Sequence, residues 1–164
     1  FAASPRAPIS GEDLSYLRFF APDSTYRVQA TFIRTLGTSP FQMPTYSGMK
    51  KEFVKYGELH FVLNGQKQRL SVYRNLTLPA IPQYKNHLFL PFKDLTNTHE
   101  SYGGGRYIDL EITDIRDAVY ILDFNKAYNP YCAYSDGFNC PIPPQENHLP
   151  LRVEAGEMNF GKDH

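Results

Sequence analysis

Residues 56–73 read YGELHFVLNGQKQRLSVY, and this stretch carries the strongest local structural signal in the chain. At its centre, Asn64-Gly65 separates two runs of alternating apolar and polar residues, and both residues tolerate the positive φ angles that a two-residue type I′ turn requires. The stretch therefore predicts an antiparallel β-hairpin with strands 56–63 and 66–73. The alternation assigns one face to the core and the other to water. The predicted core residues are Leu59, Phe61, Leu63, Leu70 and Val72, and the predicted solvent-facing residues are Glu58, His60, Lys67 and Arg69.

Further strands are predicted on both sides of this hairpin. Before it, Val28, Ala30 and Phe32 alternate with polar residues, which indicates a half-buried strand over residues 26–32. After it, strands are predicted at 87–92, 107–112, 118–124 and 149–153. Pro91 would place the first of these at a sheet edge or a bulge, and the nearly continuous apolar sequence of 118–124 predicts burial on both faces. Residues 34–49 are rich in turn formers and predict a long loop. Leu14, Leu17 and Phe20 favour a short helical turn, with a strand that begins at Leu17 and Phe19 as the alternative.

These six or seven short strands, with little helix and long loops rich in Pro and Gly, predict an all-β fold. We expect a single antiparallel domain that is either barrel-like or a sandwich. A length of 164 residues fits one hydrophobic core. The expected organisation is an N-terminal arm over residues 1–13, a β domain over 14–157 and a C-terminal tail over 158–164.

Charge and hydropathy exclude two classes of partner. The chain has 17 basic and 17 acidic residues, without a dense basic run that would attract a phosphate backbone, so we expect no binding to nucleic acid. No apolar stretch approaches the roughly 20 residues that span a bilayer, so we expect no membrane insertion. The chain begins with Phe1 rather than Met, which suggests that an upstream segment has been removed.

The two cysteines, Cys132 and Cys140, lie in a segment full of turn-forming residues, and their spacing does not match the CxxC pairs of zinc ribbons. In an oxidising compartment they would form a disulfide that closes a short loop and contributes about 2 to 3 kcal/mol. Buried free thiols, metal ligation and catalysis are the alternatives. Asp123, Asn125 and His148 could join the cysteines in a mixed ligand set, but the spacing favours no coordination geometry, and we predict no metal and no cofactor.

A catalytic thiol would need a histidine base, and the two nearest in the sequence are His148 and His99. A hydrolase that uses Cys132 with His148 or His99 is therefore one alternative function. The sequence does not place either histidine beside the thiol.

The stretch YGGGR at residues 102–106 invites comparison with phosphate-binding loops, but no Lys-Ser/Thr pair and no predicted helix follow it. We interpret the three glycines as a tight bend with Tyr102 and Tyr107 packed on either side. Arg106 has two interpretations. Its guanidinium could hold an anionic ligand, or it could pair with Asp109, Asp123 or another carboxylate in a structural ion pair, which we favour.

A cluster of aromatic residues surrounds the cysteines, and it also has two interpretations. The rings could clamp an irregular loop onto the barrel, or they could line a ligand pocket at the barrel mouth together with Arg106. The cluster consists of Phe124, Tyr128, Tyr131, Tyr134 and Phe138.

Five stretches of the chain, LHFVLNG, LFLPFKDLTN, YGGGRYIDLE, LDFNKAYNPYCAY and CPIPPQENHLPLRVEAGE, resemble the bacterial family catalogued as domain of unknown function 1684. Similar sequences often have Gly directly after the Thr96-Asn97 pair, whereas this chain has Thr98 at that position. The resemblance implies no reaction, but it implies an exported leader in relatives and favours an extracytoplasmic location, periplasmic or secreted, with the cytoplasm left open. The pattern falls on Phe92, Asp94, Thr96, Tyr102, Gly104, Gly105, Arg106, Tyr107, Asp109, Asp123, Phe124, Asn125, Tyr128, Asn129, Pro130, Cys132, Cys140, Pro141, Pro144 and Asn147.

Taken together, these patterns favour a binding module for a small anionic or aromatic ligand, beside the YGGGR turn and the NPYCAY segment at residues 129–134. We expect this turn and the NPY segment to meet in space. Arg106 is the predicted polar anchor. A self-associating extracellular structural protein, in which the aromatic loop meets a second copy, is a third hypothesis. The predicted ligand-binding residues are Arg106, Tyr102, Tyr107, Asp123, Asn125, Tyr128 and Tyr131.

Overall fold

The computed structural model describes residues 7–162, and its regular structure consists of seven strands and short 3-10 helices. The strands are β1 (Arg27–Arg34), β2 (Phe41–Pro44), β3 (Lys50–Leu63), β4 (Gln66–Asn75), β5 (His87–Phe92), β6 (Arg106–Glu111) and β7 (Val119–Asp123). The 3-10 helices are Gly11–Tyr16, Ser24–Tyr26, Leu78–Ala80, Pro82–Tyr84, Ile112–Asp114, Phe124–Lys126, Tyr131–Ala133 and Gln145–Asn147. Within residues 7–162, no helix is long and apolar enough to cross a bilayer.

All seven strands belong to one antiparallel sheet, which curls into a half-barrel. The order is β6-β5-β4-β3-β1-β7, and β2 pairs with the first part of β3. Because β3 is 14 residues long, it accommodates β2 and β1 one after the other along the same edge. The predicted all-β, single antiparallel fold is confirmed, with the half-barrel closer to the barrel-like prediction.

The hairpin forms as its sequence predicts. Leu63 pairs with Gln66 across a two-residue turn in which Asn64 and Gly65 have φ angles of 50° and 77°. Both values are positive, as a type I′ turn requires. All five predicted inward side chains are buried.

The curled sheet buries a different apolar layer on each face. The main core includes the inward residues of the hairpin, the alternate residues of β5 and β6, and the C-terminal residues Leu149, Leu151, Val153 and Ala155. The second layer is aromatic and consists of Met43, Phe53, Tyr73, Phe89 and Tyr107, with Tyr128 packed against it. The strands that contribute to both layers are buried on both sides, and the second layer forms the floor of the groove described below.

Three strand predictions are wrong. Residues 34–49 are not all loop, because β2 forms there and pairs with β3. β7 is an edge strand with Ile121 39% exposed, so it is not buried on both faces. β5 lies between β4 and β6, so the edge position suggested by Pro91 is wrong, but Pro91 lies past the single Tyr73–Phe89 pair, where β4 and β5 separate.

The fourth difference concerns residues 149–153, which form no strand. They run beside residues 93–95 through a parallel bridge, in which the Lys93 N–H donates to the Asn147 carbonyl and the Leu149 N–H donates to the Lys93 carbonyl. The Asn147 side chain fills the place where β4 and β5 separate. Its amide accepts a hydrogen bond from the Ser71 N–H at 2.8 Å and donates to the carbonyls of Ser71 at 2.9 Å and Pro91 at 2.8 Å.

The chain ends were predicted as an arm and a tail. The 3-10 helix Gly11–Tyr16 spans the predicted boundary after residue 13, and Phe19 then forms an antiparallel bridge with Glu157. Residues 1–6 of the arm and 163–164 of the tail lie outside the described part of the chain.

Candidate functional site

The second apolar layer is built from aromatic side chains that strand alternation places on one face of the sheet. In β5, Phe89 points to this face while Leu88 and Leu90 point into the main core. The Phe89 ring stacks on Phe53 with centroids 5.6 Å apart and meets Tyr107 edge-to-face at 4.6 Å. These rings form a continuous apolar floor across β3, β5 and β6.

One wall above this floor comes from the segment that contains the two cysteines. Cys132 and Cys140 form a disulfide, with their Cα atoms 6.3 Å apart, which confirms the disulfide interpretation. The loop that it closes holds Phe138 against Tyr131, with ring centroids 5.2 Å apart. The disulfide therefore fixes the two rings of this wall relative to the sheet.

The YGGGR turn and the NPY segment meet in space, as the sequence analysis predicts. The backbones of Tyr107 and Tyr128 form an antiparallel bridge, with N–H to carbonyl distances of 2.8 and 3.0 Å. The Tyr107 hydroxyl donates to the Pro141 carbonyl at 2.6 Å, so it also attaches the far side of the cysteine loop. At the turn itself Gly105 has a φ of 92°, and a Cβ there would lie 2.7 Å from the Phe92 carbonyl oxygen, so only glycine fits.

Floor and walls enclose an open cavity of about 440 Å³, which we call the aromatic groove. This volume lies within the range of small-molecule sites, which run from about 300 to 1,000 Å³. Rings and other apolar groups predominate, with a few polar side chains among them. The groove is lined by Lys51, Phe53, Asn75, Leu78, Tyr84, His87, Phe89, Tyr107, Asp109, Tyr128, Asn129, Pro130, Tyr131, Phe138, Asn139, Cys140 and Pro141.

Lys51 is the cation of this groove. It lies on β3 two residues before Phe53, so both side chains extend to the same face. Partial burial lowers the pKa of the Lys51 ammonium, because desolvation disfavours its charged form. Among residues 7–162, no carboxylate lies within ion-pair distance of its Nζ. The groove therefore contains a positive charge that the described protein groups do not neutralise.

The one carboxylate that lines the groove is already engaged. Asp109 lies beside His87, whose Nε2 is 2.9 Å from Oδ1, and the Tyr128 hydroxyl donates to Oδ2 at 2.7 Å. Burial, and then the negative charge of Asp109, raise the pKa of the Tyr128 hydroxyl, so it remains a donor. Both oxygens of Asp109 thus have partners within the protein, which leaves Lys51 as the unmatched charge.

Arg106 does not line the groove, and its prediction as a ligand anchor is wrong. Its side chain is 0% exposed and extends to the opposite face of β6 from Tyr107. The guanidinium pairs with Asp94 and donates to three backbone carbonyls near the C-terminus. The structural ion pair that we favoured is therefore present, with Asp94 in the place of the suggested Asp109 or Asp123.

Three other predicted ligand residues also lie outside the groove. Asp123 accepts hydrogen bonds from the backbone N–H and the amide of Asn125, and Asn125 in turn binds the backbone of Asp23 in both directions. These contacts join two turns at the end of the β1–β7 pair. Tyr102 lines a different cavity near Arg18. Of the predicted set, Tyr107, Tyr128 and Tyr131 line the groove.

The proposed thiol hydrolase does not fit the structure. The Cys132 sulfur is bonded to Cys140, so it is not available as a nucleophile. His148 approaches the Pro143 carbonyl at 3.2 Å, and His99 is exposed. Among the described residues, no group of His, Cys, Asp and Glu side chains is arranged to hold a metal ion.

Sequence reasoning missed Lys51, His87, Phe89 and Asp109 as groove residues. Lys51 lies between the predicted loop over 34–49 and the predicted hairpin that begins at residue 56. His87 and Phe89 were assigned only to a strand, and Asp109 was considered only as a partner for Arg106. A usable signal was present in β5 and β6, where His87 and Phe89, or Tyr107 and Asp109, are two residues apart and thus share a face.

Comparison with known proteins identifies the family without assigning an activity. An uncharacterized protein from gene locus rrnAC0354 of Haloarcula marismortui, whose structure was solved by solution NMR, is 37% identical in sequence. The alignment covers 92% of this chain and 82% of that one, with a TM-score of 0.71. No curated protein matches. Residues 12–158 match the family described as Protein of unknown function (DUF1684), and the chain belongs to that family.

Proposed function

We propose that this protein binds a small aromatic anion in the aromatic groove. The observation that carries this proposal is the placement of the unpaired Lys51 ammonium at a floor of stacked rings, in a cavity of about 440 Å³. A flat apolar ligand would bury its body against Phe53, Phe89 and Tyr107. Its anionic group would lie at Lys51, where a charge-assisted hydrogen bond contributes about 1.5 to 3 kcal/mol.

The engaged carboxylate at the other side of the groove supports this choice of charge. Since Asp109 already accepts from Tyr128 and faces His87, it has little capacity left for a cationic ligand. An anion, in contrast, would receive the only unmatched charge among the groove residues. We therefore place small aromatic carboxylates and sulfonates ahead of amines.

The probe for this proposal is 1-anilinonaphthalene-8-sulfonate, a flat aromatic monoanion whose fluorescence reports burial. We expect saturable binding at one site, with amide shifts in two-dimensional NMR spectra concentrated at residues 51–53, 87–89, 107–109 and 128–141. Lys51→Met should weaken binding about tenfold, the effect of 1.4 kcal/mol. Lys50→Met is the matched control, because Lys50 is an exposed neighbour that does not line the groove, and it should change the affinity by less than about twofold.

Two results would reject the proposal. One is an affinity that Lys51→Met and Lys50→Met change equally, and the other is a shift pattern that lies outside the groove. NMR spectra are needed beside fluorescence because this dye also binds loosely packed chains. A well-dispersed spectrum in each variant shows that the fold is intact.

We also propose an extracytoplasmic location, which the Cys132–Cys140 disulfide supports because such bonds persist in oxidising compartments. The test is alkylation of intact cells, followed by mass spectrometry of the chain. Recovery of both cysteines as alkylated thiols would reject this location.

A further inference from the structure

A second cavity of about 440 Å³ lies beside β3 and shares Asn75 with the aromatic groove. Val54, Lys55 and Tyr56 of β3 line this cavity, whereas Lys51 and Phe53 of the same strand line the groove. We call the cavity the arginine pocket. Its principal side chains are Arg34, Leu36, Tyr56, Arg74, Leu76 and Pro79.

Arg34 is held in place by contacts that leave part of its guanidinium unused. The Cζ atom lies 3.8 Å from the centroid of the Tyr56 ring, and Nη1 donates to the carbonyls of Tyr56 at 2.8 Å and Thr35 at 2.5 Å. Within residues 7–162, Nε and Nη2 have no hydrogen-bond partner. A stacked guanidinium keeps its edge available for two parallel hydrogen bonds to an oxyanion.

Arg74 approaches the same pocket from β4, opposite Val54 of β3. Its Nη2 donates to the Lys85 carbonyl at 2.7 Å, a neutral acceptor that does not compensate its charge. Neither Arg34 nor Arg74 forms an ion pair in the described part of the chain.

The charge balance of the pocket is therefore positive. The described residues that line it include three cations and no carboxylate. The third cation, Lys55, is already neutralised by Glu58 at 2.6 Å, with Glu146 at 3.6 Å. Two uncompensated guanidinium groups remain, and they match the charge of a dianion.

We propose that the arginine pocket binds a phosphate monoester. Its phosphate is largely dianionic at pH 7, because its second pKa is about 6. It would receive hydrogen bonds from the free edges of Arg34 and Arg74. The organic part would lie against Leu36, Leu76 and Pro79, and Leu36 is 80% exposed in the absence of such a contact. Lys51 does not line this pocket, so Lys51→Met should leave the affinity of the arginine pocket unchanged.

The first experiment is an NMR titration with glycerol 3-phosphate at low ionic strength. We expect saturable shifts at residues 34–38, 54–56 and 74–76, and a loss of affinity of about tenfold in Arg34→Gln and in Arg74→Gln. Arg69→Gln is the matched control, because Arg69 is an exposed arginine of the same strand outside this pocket, and it should lose less than twofold. Arg34→Lys keeps the charge but loses the two parallel hydrogen bonds, so its affinity should lie between those of the wild type and Arg34→Gln.

The second experiment separates a soluble phosphate monoester from a lipid headgroup. The probe is co-sedimentation with vesicles of phosphatidic acid and phosphatidylcholine, with pure phosphatidylcholine as the reference. Sedimentation that Arg34→Gln abolishes and Arg69→Gln retains assigns the phosphate to a lipid, whereas an NMR response without sedimentation assigns it to a soluble ligand.

Either of these results supports the proposal, and binding should weaken below pH 6 as the phosphate loses its second charge. The proposal is overturned if glycerol 3-phosphate produces no saturable shifts at up to about 10 mM and the phosphatidic acid vesicles do not sediment the protein. It is equally overturned if Arg69→Gln weakens binding as much as Arg34→Gln does.

Discussion

Arg106 and Asp94 form an ion pair in which both side chains are completely buried, with Nη2 donating to Oδ1 at 3.2 Å. The same guanidinium donates to the backbone carbonyls of Val153, Ala155 and Glu157, and Asp94 accepts from the Val153 N–H at 2.7 Å. The pair thus attaches the irregular C-terminal segment to the sheet. A positive charge that sequence reasoning assigned to a ligand instead stabilises the fold.

Arg106→Met should therefore destabilise the protein strongly. It leaves the Asp94 carboxylate buried without its partner, and removing one partner of a buried pair costs about 3 to 5 kcal/mol. The measurement is the free energy of unfolding from urea titration. Arg152→Met is the control, because Arg152 pairs with Glu100 at the exposed surface and should cost less than about 1 kcal/mol. Equal losses in the two variants would contradict this role of Arg106.

Asn147→Ala should lower the free energy of unfolding nearly as much as Arg106→Met does. The amide serves as a substitute for strand pairing between Ser71 and Pro91, and its removal leaves one buried N–H and two buried carbonyls without their partner. We expect a loss of about 3 kcal/mol, since each unsatisfied buried group costs about 1 to 3 kcal/mol. Hydrogen exchange gives a local check, because the Ser71 amide proton should lose its protection. Gln145→Ala, at an exposed position of the same 3-10 helix, should leave both quantities unchanged.

The double variant Cys132→Ser and Cys140→Ser tests the role of the disulfide. The two cysteines have a sequence separation of 8, and the loop-entropy relation therefore predicts that the variant's free energy of unfolding is lower by about 2.5 kcal/mol. Because the bond also fixes Tyr131 and Phe138 in the wall, the variant should bind the groove probe more weakly while the arginine pocket keeps its affinity. Unchanged affinity at both sites would show that the wall does not need the bond.

Alkaline pH should destabilise the fold through its buried tyrosines. Burial raises the pKa of Tyr46 and Tyr120 to about 12, and it raises the pKa values of Tyr73, Tyr102, Tyr107, Tyr128 and Tyr134 as well. Above pH 10 the unfolded chain releases these protons while the folded chain retains them. The folded chain then binds more protons, so the free energy of unfolding falls as pH rises, by up to about 1.4 kcal/mol per pH unit for each residue.

The check is unfolding in urea at several pH values between 9 and 12, with tyrosinate absorbance recorded on the folded protein. Tyr128→Phe should make the free energy of unfolding fall less steeply with pH, by the contribution of one tyrosine. Ionisation of all twelve tyrosines near pH 10 in a folded chain would contradict the assignment.

Local sequence was sufficient where neighbours along the chain decide the structure. Asn64-Gly65 supplies the positive φ angles that the turn requires, and strict alternation from Leu59 to Leu63 assigns the faces of the strand. Two further features were also predicted, the meeting of the YGGGR turn with the NPY segment and the closure of the cysteine loop. Their Gly, Pro and Cys residues restrict the backbone conformations and the covalent bonds that those segments can form.

Position within the sheet could not be predicted in this way. The apolar sequence of β7 resembles a buried strand, but its burial depends on the strand order, which places it at an edge. Pro91 lies in an interior strand because Asn147, 56 residues further along the chain, binds its carbonyl where β4 and β5 separate. A contact over such a distance leaves no periodicity in either segment.

The sequence alone therefore determined the all-β class, the central hairpin and the candidate disulfide, since turn chemistry and period-two alternation are local properties. The tertiary structure alone decided which charges are available to a ligand. Arg106 is neutralised by Asp94 and three carbonyls from the C-terminal segment, whereas Lys51, Arg34 and Arg74 face cavities without a carboxylate partner among the described residues. The physical reason is that the state of a charge depends on the groups that folding brings around it, and those groups come from distant parts of the chain.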